Sequence, residues 1–204
     1  ALGGGHENGG KIVLGNGDIV TWAIGHLLES LMPEDYNAAY RYWRLEDLPI
    51  IPERFRWKPI NDKRGQLATV VSLIKQAREV VVATDSGREG ELIARIVMDF
   101  AGWKGPVKRF WTSSLTPSAL SRATANLLDG NDKLPLYIAA RLRGSIDWLD
   151  GINYSRLINL RAVQRGDKPV SVGRVQTATL ALVVDRDAEI DSFTASDYFD
   201  VKAI

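Results

Sequence analysis

The stretch that decides the fold reads Val80-Val81-Val82-Ala83-Thr84-Asp85-Ser86-Gly87-Arg88-Glu89-Gly90-Glu91. Its valine run has no polar alternation, which is typical of a strand covered on both faces in a parallel sheet. The residues after it repeat apolar side chains at helical spacing and end at Gly102, so a helix is predicted directly after the turn. The acids therefore lie at the carboxyl end of a strand, where open α/β sheets bind their ligands.

Spacing alone leaves two interpretations of this acidic turn open. The carboxylates of Asp85 and Glu89 could converge on one Mg²⁺, because this ion prefers a few carboxylate oxygens and keeps its remaining water. Ser86 and Glu89 also match the capping-box spacing, in which the serine caps the helix and the glutamate bonds back to an exposed backbone N–H.

Four stretches of the chain, in one order, resemble blocks of the type IA DNA topoisomerases. The turn from Asp85 to Glu91 resembles the Asp-x-Asp-Arg-Glu-Gly-Glu signature of their TOPRIM domain. The other three stretches are residues 21–29, 140–153 and 171–180, the last reading Ser-Val-Gly-Arg-Val-Gln-Thr-Ala-Thr-Leu. They are most similar to the bacterial topoisomerase III kind, and the resemblance covers essentially the whole chain.

The resemblance implies an N-terminal part of such an enzyme, with an α/β fold. Residues 1–114 are expected to form a TOPRIM domain, Rossmann-like, with a mainly parallel sheet flanked by helices. Residues 115–204 are expected to begin the helical domain that binds single-stranded DNA. The implied activity is cleavage and rejoining of one DNA strand through a 5′-phosphotyrosine link with Mg²⁺. A covalent link keeps the phosphodiester energy, so no nucleotide cofactor is expected.

The resemblance also assigns roles to the acids of the turn. Asp85 and Glu89 are implied as metal ligands and catalytic acids, and Glu89 is also suited to proton transfer. Arg88 is either a phosphate contact or a solvated residue at the start of the helix. His26 is expected to be a hydrogen-bonded structural residue, with an approach to metal or DNA as the alternative.

Contacts with single-stranded DNA are implied further along the chain. Arg143 matches an arginine that meets phosphate, with Asp147 orienting it; the alternative is a salt bridge within one helix, since the two residues are four apart. Arg174 and Gln176 begin a helix after a glycine, an arrangement that suits a phosphate oxygen; the alternative is a glycine turn with a solvent-facing arginine.

The chain departs from the family pattern at three points. Gly87 stands where the signature has its second aspartate, which puts a second metal position in doubt. The family's first strand, with its catalytic glutamate, is expected to precede Ala1. None of the six tyrosines stands in the context of the family's nucleophile, so this chain by itself is expected to relax no DNA.

Composition narrows the class of protein further. The 204 residues include no cysteine, which excludes disulfides and thiolate zinc sites. No apolar run approaches the roughly 20 residues of a membrane span, which agrees with the cytoplasmic, nucleoid-associated location that the resemblance implies. The net charge is only +1, but basic residues exceed acids between Arg141 and Arg174, and this excess could follow a phosphate backbone; the alternative is an ordinary solvated helix face. They include Arg143, Arg156, Arg161, Arg165 and Lys168.

Local patterns predict the order of the elements. Asn16-Gly17 between two apolar runs indicates a hairpin, and residues 31–59 are predicted to be irregular. A helix is predicted within residues 61–78 and a second parallel strand at residues 107–111. After Thr116-Pro117, helices are predicted over residues 119–128, 136–149 and 175–190.

A second class of function stays open. The same scaffold could be a non-catalytic module that binds single-stranded DNA or a partner protein, and Gly87 favours this alternative. A nuclease or primase with a TOPRIM domain is a weaker alternative, because neither would need the two later blocks.

Overall fold

The computed structural model describes residues 5–164 and 166–203 and divides into two compact units. The first unit comprises residues 5–42 and 51–146, and the second comprises residues 43–50 and 147–203. Arg165, one of the predicted basic residues, lies outside the described residues, as does the start of the chain up to residue 4.

The first unit begins with a three-stranded antiparallel sheet. Its strands β1 (Gly5–Asn8), β2 (Lys11–Leu14) and β3 (Ile19–Thr21) pair in sequence order. The predicted hairpin at Asn16-Gly17 is confirmed, and Gly17 has a φ of 89°, a backbone conformation that favours glycine. The third strand ends at Thr21, and the next carbonyl, that of Trp22, accepts from the Gln66 side chain at 2.7 Å.

Two short strands frame the irregular segment. Strand β4 (Leu28–Ser30) pairs antiparallel with β5 (Trp57–Pro59). Between them lie the one-turn helix α1 (Pro33–Tyr36) and isolated 3₁₀ turns. The prediction of an irregular excursion is therefore confirmed except at its end, where β5 forms.

The strand–turn–helix unit is built as predicted. Helix α2 (Arg64–Gln76) leads to β6 (Val80–Val82), and helix α3 (Arg88–Ala101) follows the acidic turn. Gly102 ends α3 in the left-handed conformation, with a φ of 73°, as C-terminal glycines commonly do. Strand β7 (Val107–Arg109) then pairs parallel with β6.

The mixed α/β class is confirmed, but the sheets differ from the expectation in two respects. After α4 (Pro117–Ala125), strand β8 (Leu128–Asp129) returns antiparallel to β7. Among the described strands only β6 and β7 pair in parallel, so the sheets are not mainly parallel. Val81 is 45% exposed, so β6 is covered on one face only. The prediction that both faces are covered is wrong, because β6 is a short strand at the edge of its sheet.

The core of the first unit lies between α2, α3 and the strands. Ile96 of α3 is 1% exposed and Leu27, just before β4, is fully buried. The cluster consists of Leu27, Leu28, Leu67, Val70, Ile74, Val82, Leu92, Ile96, Val97, Met98, Ala101, Tyr137 and Ala140. Burial of each large aliphatic side chain contributes about 1.5–3 kcal/mol, so this cluster fixes α3, and with it the turn that α3 begins from.

The second unit is helical, as predicted. Helix α5 (Leu134–Arg161) begins in the first unit and ends in the second, and α6 (Arg174–Asp191) follows. The Asn153 side chain brackets Ile50: its Oδ1 accepts from the Ile50 N–H at 2.6 Å and its Nδ2 donates to the Ile50 carbonyl at 3.0 Å. This bracket joins the short segment of residues 43–50 to the rest of its unit.

Candidate metal-binding turn and nucleic-acid contacts

The acidic turn places three charged side chains in solvent. Asp85 follows β6 after two residues, and Arg88 and Glu89 are the first two residues of α3. All three are exposed. The Gly87 N–H donates to the Asp85 carbonyl at 2.9 Å and closes the turn. The charged groups are thus accessible to ligands from solution.

The capping-box interpretation of this turn is wrong. Gly87 is the N-cap residue, and no side chain caps the helix. The Ser86 hydroxyl instead donates to the Thr112 carbonyl at 2.7 Å and accepts from the Thr112 N–H at 3.1 Å. Serine therefore ties the turn to the segment after β7, a partner that local spacing does not reveal.

His26 supplies a further side chain to the turn. Its Nε2 contacts the Glu89 Oε1, so the hydrogen bond predicted for this histidine is present and its partner is a candidate catalytic acid. The backbone of this histidine is also bonded, because Lys63 Nζ donates to the His26 carbonyl at 3.0 Å. Gly25, with a φ of 63°, provides the bend that brings the loop there.

The donor set of the turn suits a hard cation. Asp85 and Glu89 offer carboxylate oxygens, and Mg²⁺ in proteins is commonly held by one or two carboxylates together with waters and phosphates. Within the part of the chain that the structure describes, no group of three His, Cys, Asp or Glu side chains is placed to hold a metal. The donor chemistry of Asp85 and Glu89 therefore suits at most two protein ligands for one Mg²⁺, with water or phosphate as the remaining ligands.

A buried ion pair lies next to the turn, and local sequence patterns predict no role for it. Glu91 is fully buried and Arg109 is 1% exposed, with Arg109 Nε donating to Glu91 Oε1 at 2.5 Å. Glu91 belongs to the quoted signature, and this was the signal in the sequence that could have pointed to a role for it. Its partner lies 18 residues further along the chain, so only the fold identifies it.

The second unit pairs two of the residues predicted to contact DNA. Arg174, the first residue of α6, donates from Nε to Asp147 Oδ1 at 2.8 Å. This hydrogen bond raises the pKa of the Arg174 guanidinium. Asp147 was expected to orient Arg143, and that pairing stays a prediction; its carboxylate bonds Arg174. Arg143 lies on the first-unit part of α5 and is exposed.

The loop before α6 is fixed by side chains of α5. The Asn159 amide brackets Val170, accepting from its N–H at 2.9 Å and donating to its carbonyl at 2.6 Å. The Ser155 hydroxyl accepts from the Val172 N–H at 2.8 Å. Gln176 Nε2 donates to the Ser171 hydroxyl at 2.9 Å. Hydrogen bonds from α5 thus fix the backbone of the loop that leads to Arg174 and Gln176.

One basic residue of the predicted positive stretch is not available to a phosphate. Arg156 is 5% exposed, and its guanidinium lies 5.4 Å from the centre of the Trp43 ring. The helical pattern did not separate the buried from the exposed face of this part of α5.

Within residues 5–164 and 166–203, every helix is too short or too polar to span a bilayer.

Comparison with known proteins matches each half of the chain to a family model. Residues 5–115, more than half of the chain, match the family described as Toprim domain, and residues 132–204 match the family described as DNA topoisomerase. DNA topoisomerase 3 from Staphylococcus haemolyticus is 45% identical over 89% of this chain and 25% of its own length. DNA topoisomerase 3 from Staphylococcus epidermidis is 44% identical with the same coverage.

A solved structure agrees with these relatives. Full-length topoisomerase I from Thermotoga maritima superposes with a TM-score of 0.56 and 27% identity, over 84% of this chain and 26% of that chain. The chain spans about a quarter of the length of the relatives that it matches. It therefore belongs to the Toprim domain family and is a relative of the type IA DNA topoisomerases, which are enzymes.

Proposed function

We propose that this chain is part of a type IA DNA topoisomerase that cleaves and rejoins one DNA strand through a 5′-phosphotyrosine link with Mg²⁺. The observation that carries the proposal is the acidic turn, where Asp85 and Glu89 stand exposed at the carboxyl end of a parallel strand pair. This is the position at which α/β sheets bind ligands.

Asp85 and Glu89 hold the metal in this proposal. When bound, Mg²⁺ neutralises and orients the scissile phosphate. Glu89 has a second task, since its protonated form can deliver a proton to the leaving 3′ oxygen. His26 orients the Glu89 carboxylate through the contact at Oε1. Arg88, exposed at the first position of α3, contacts a phosphate oxygen.

Arg143, Arg174 and Gln176 contact single-stranded DNA, with Asp147 holding the Arg174 guanidinium. The pair at 2.8 Å supports this role for Arg174, because an exposed ion pair contributes little to stability. A preset guanidinium loses less freedom when it bonds a phosphate. Residues 1–114 form the TOPRIM domain in this proposal, residues 115–204 begin the DNA-binding domain, and the protein acts in the cytoplasm at the nucleoid.

A fluorescence polarisation titration of a labelled single-stranded oligonucleotide tests the DNA contacts. Affinity is measured across a salt series with Arg174→Ala and with Arg186→Ala as the matched control. Arg186 also lies on α6 and also pairs with an acid, Glu189, at 2.8 Å. Loss of one phosphate contact lowers the slope of log affinity against log salt by about 0.7.

The expected result is a smaller salt slope for Arg174→Ala and an unchanged slope for Arg186→Ala. Single-stranded DNA is expected to bind more tightly than duplex of the same length. An equal loss of salt slope in both variants would contradict the assignment of Arg174. Equal affinity for the duplex would contradict the preference for single-stranded DNA. Calorimetric titration of Mg²⁺ against the chain and its Asp85→Asn variant tests the metal ligands separately, and the variant is expected to lose the binding signal.

A further inference from the structure

The ion pair of Glu91 and Arg109 is buried more completely than a stabilising role requires. The two side chains are 0% and 1% exposed. Arg95 Nε adds a second contact to Glu91, at 3.3 Å from Oε2. Taking two charges out of water is costly, and apolar side chains of similar volume commonly give equal or greater stability. Stability alone therefore does not account for this pair.

The guanidinium of Arg109 bonds the backbone that leads into the acidic turn. Nη1 donates to the carbonyls of Val82 at 3.1 Å and Thr84 at 2.7 Å, and Nη2 donates to the carbonyl of Asp85 at 2.7 Å. Nη1 also reaches the Phe110 carbonyl, at 2.6 Å. Because a guanidinium holds its donors in a rigid planar fork, these bonds fix the path of the chain from β6 to Asp85.

The surroundings hold the guanidinium in place. Glu91 Oε1 accepts from its Nε. The Trp111 ring lies 4.8 Å from its central carbon, and Lys133 Nζ lies 4.5 Å from the same ring. Hydrogen bonds that are shielded from water in this way are stronger than exposed ones. The turn also contacts α3, since the Thr84 hydroxyl donates to the Gly90 carbonyl at 2.8 Å.

We propose that Arg109 is a positioning residue that sets the Asp85 carboxylate for the metal by fixing the Thr84 and Asp85 carbonyls. Glu91 is the counter-ion that aims the guanidinium. The inference rests on the proposed function in that Asp85 is taken as a metal ligand. Lysine cannot replace this arginine, because a single ammonium cannot bond Glu91 and the two turn carbonyls in the same fixed geometry.

The test uses Arg109→Lys and the double variant Glu91→Leu/Arg109→Met, which replaces the ion pair by apolar side chains. Ile96→Ala is the matched control: it removes a core side chain of the same helix, 1% exposed, without touching the turn. One readout is hydrogen exchange of the Gly87 N–H, which bonds the Asp85 carbonyl, measured relative to amides of α2. The other is Mg²⁺ affinity by calorimetry.

The Gly87 amide is expected to exchange about tenfold faster in the Arg109 variants, relative to α2, and to keep its relative rate in Ile96→Ala. Mg²⁺ affinity is expected to fall about tenfold in the Arg109 variants only. Equal relative exchange in all variants would overturn the inference, and so would failure of both Arg109 variants to fold, because the pair would then serve the whole fold.

The two proposals fail in different ways. If Asp85→Asn leaves Mg²⁺ binding unchanged, the proposed metal ligand is wrong, and the exchange of the Gly87 amide alone decides the positioning role. If Asp85→Asn abolishes binding but Arg109→Lys binds Mg²⁺ as tightly as the parent chain, the metal site stands and the positioning role is refuted.

Discussion

Substitution of Gly90 by alanine tests how tightly α3 is packed against the acidic turn. A Cβ built on Gly90 would lie 2.1 Å from the Asp85 carbonyl oxygen and 2.9 Å from the Asp85 nitrogen. These neighbours are backbone atoms, so no side-chain rotation relieves the overlap. Either the turn or the start of α3 has to move.

The expected magnitude follows from two opposing effects. Alanine in place of glycine favours a helix by about 0.5–1 kcal/mol. Overpacking of a close contact costs about 1–3 kcal/mol. The difference is about 0–2.5 kcal/mol, so Gly90→Ala is expected to lower the free energy of unfolding by roughly 1 kcal/mol. Gly65 is the matched control, because it also lies in the first turn of a helix, α2, and has no atom within 4 Å of its built Cβ.

Thermal unfolding followed by circular dichroism compares the two variants. Gly65→Ala is expected to raise the midpoint slightly, and Gly90→Ala to lower it by several degrees, since about 1 kcal/mol shifts the midpoint of a chain of this size by about 2–4 °C. Mg²⁺ binding is expected to weaken only in Gly90→Ala. If both alanines stabilise the protein equally, the contact between Gly90 and Asp85 is looser than the structure has it and the reasoning fails.

Two further substitutions test the site and the core. Gly87→Asp adds the carboxylate that the family signature has at this position; its φ of −178° is extended backbone and its Cβ meets no atom within 4 Å, so the variant is expected to fold normally. A divalent ion about 4 Å from the new charge gains about 2 kcal/mol in water before salt screening, so Mg²⁺ affinity measured by calorimetry is expected to rise about tenfold. The uncharged control Gly87→Asn is expected to leave this affinity unchanged. A rise in both variants would contradict a charge effect. Tyr137→Phe removes the hydroxyl that donates to Asp99 Oδ2 at 2.9 Å and is expected to cost about 1 kcal/mol in urea unfolding at neutral pH. Burial, and then the bond to Asp99, raises the pKa of Tyr137 above 10.0, so this stability is fully present below pH 10.0 and is lost as the pH rises through the folded-state pKa. A difference between parent and variant that persists unchanged at higher pH would refute this account.

Local patterns in the sequence determined most of the elements. The Asn16-Gly17 hairpin, the helix after the turn and the Thr116 N-cap all formed where they were predicted. Each depends on residues within about one turn of one another, whose conformational preferences act before any tertiary contact forms. The short strand β8 was missed, because two residues carry no periodicity that separates a strand from a helix end.

In the candidate site, too, local spacing places some residues and the tertiary structure places their partners. The sequence by itself determined that Asp85, Arg88 and Glu89 lie on one strand-to-helix turn, since their spacing fixes this. Only the tertiary structure decided which partners surround them. His26 meets Glu89 across 63 residues, Ser86 bonds Thr112 across 26, and Arg174 meets Asp147 across 27.

The physical reason is that long-range partners depend on how the core closes the intervening chain, and periodicity in the sequence carries no record of that closure. Arg109 shows this most clearly. As a basic residue in a short strand it has no distinguishing local signal, but burial beneath the turn leaves it the hydrogen-bond donor for the backbone that carries Asp85. The sequence thus determined which carboxylates could do chemistry, and the packing of α3 against β6 and β7 decided what holds them.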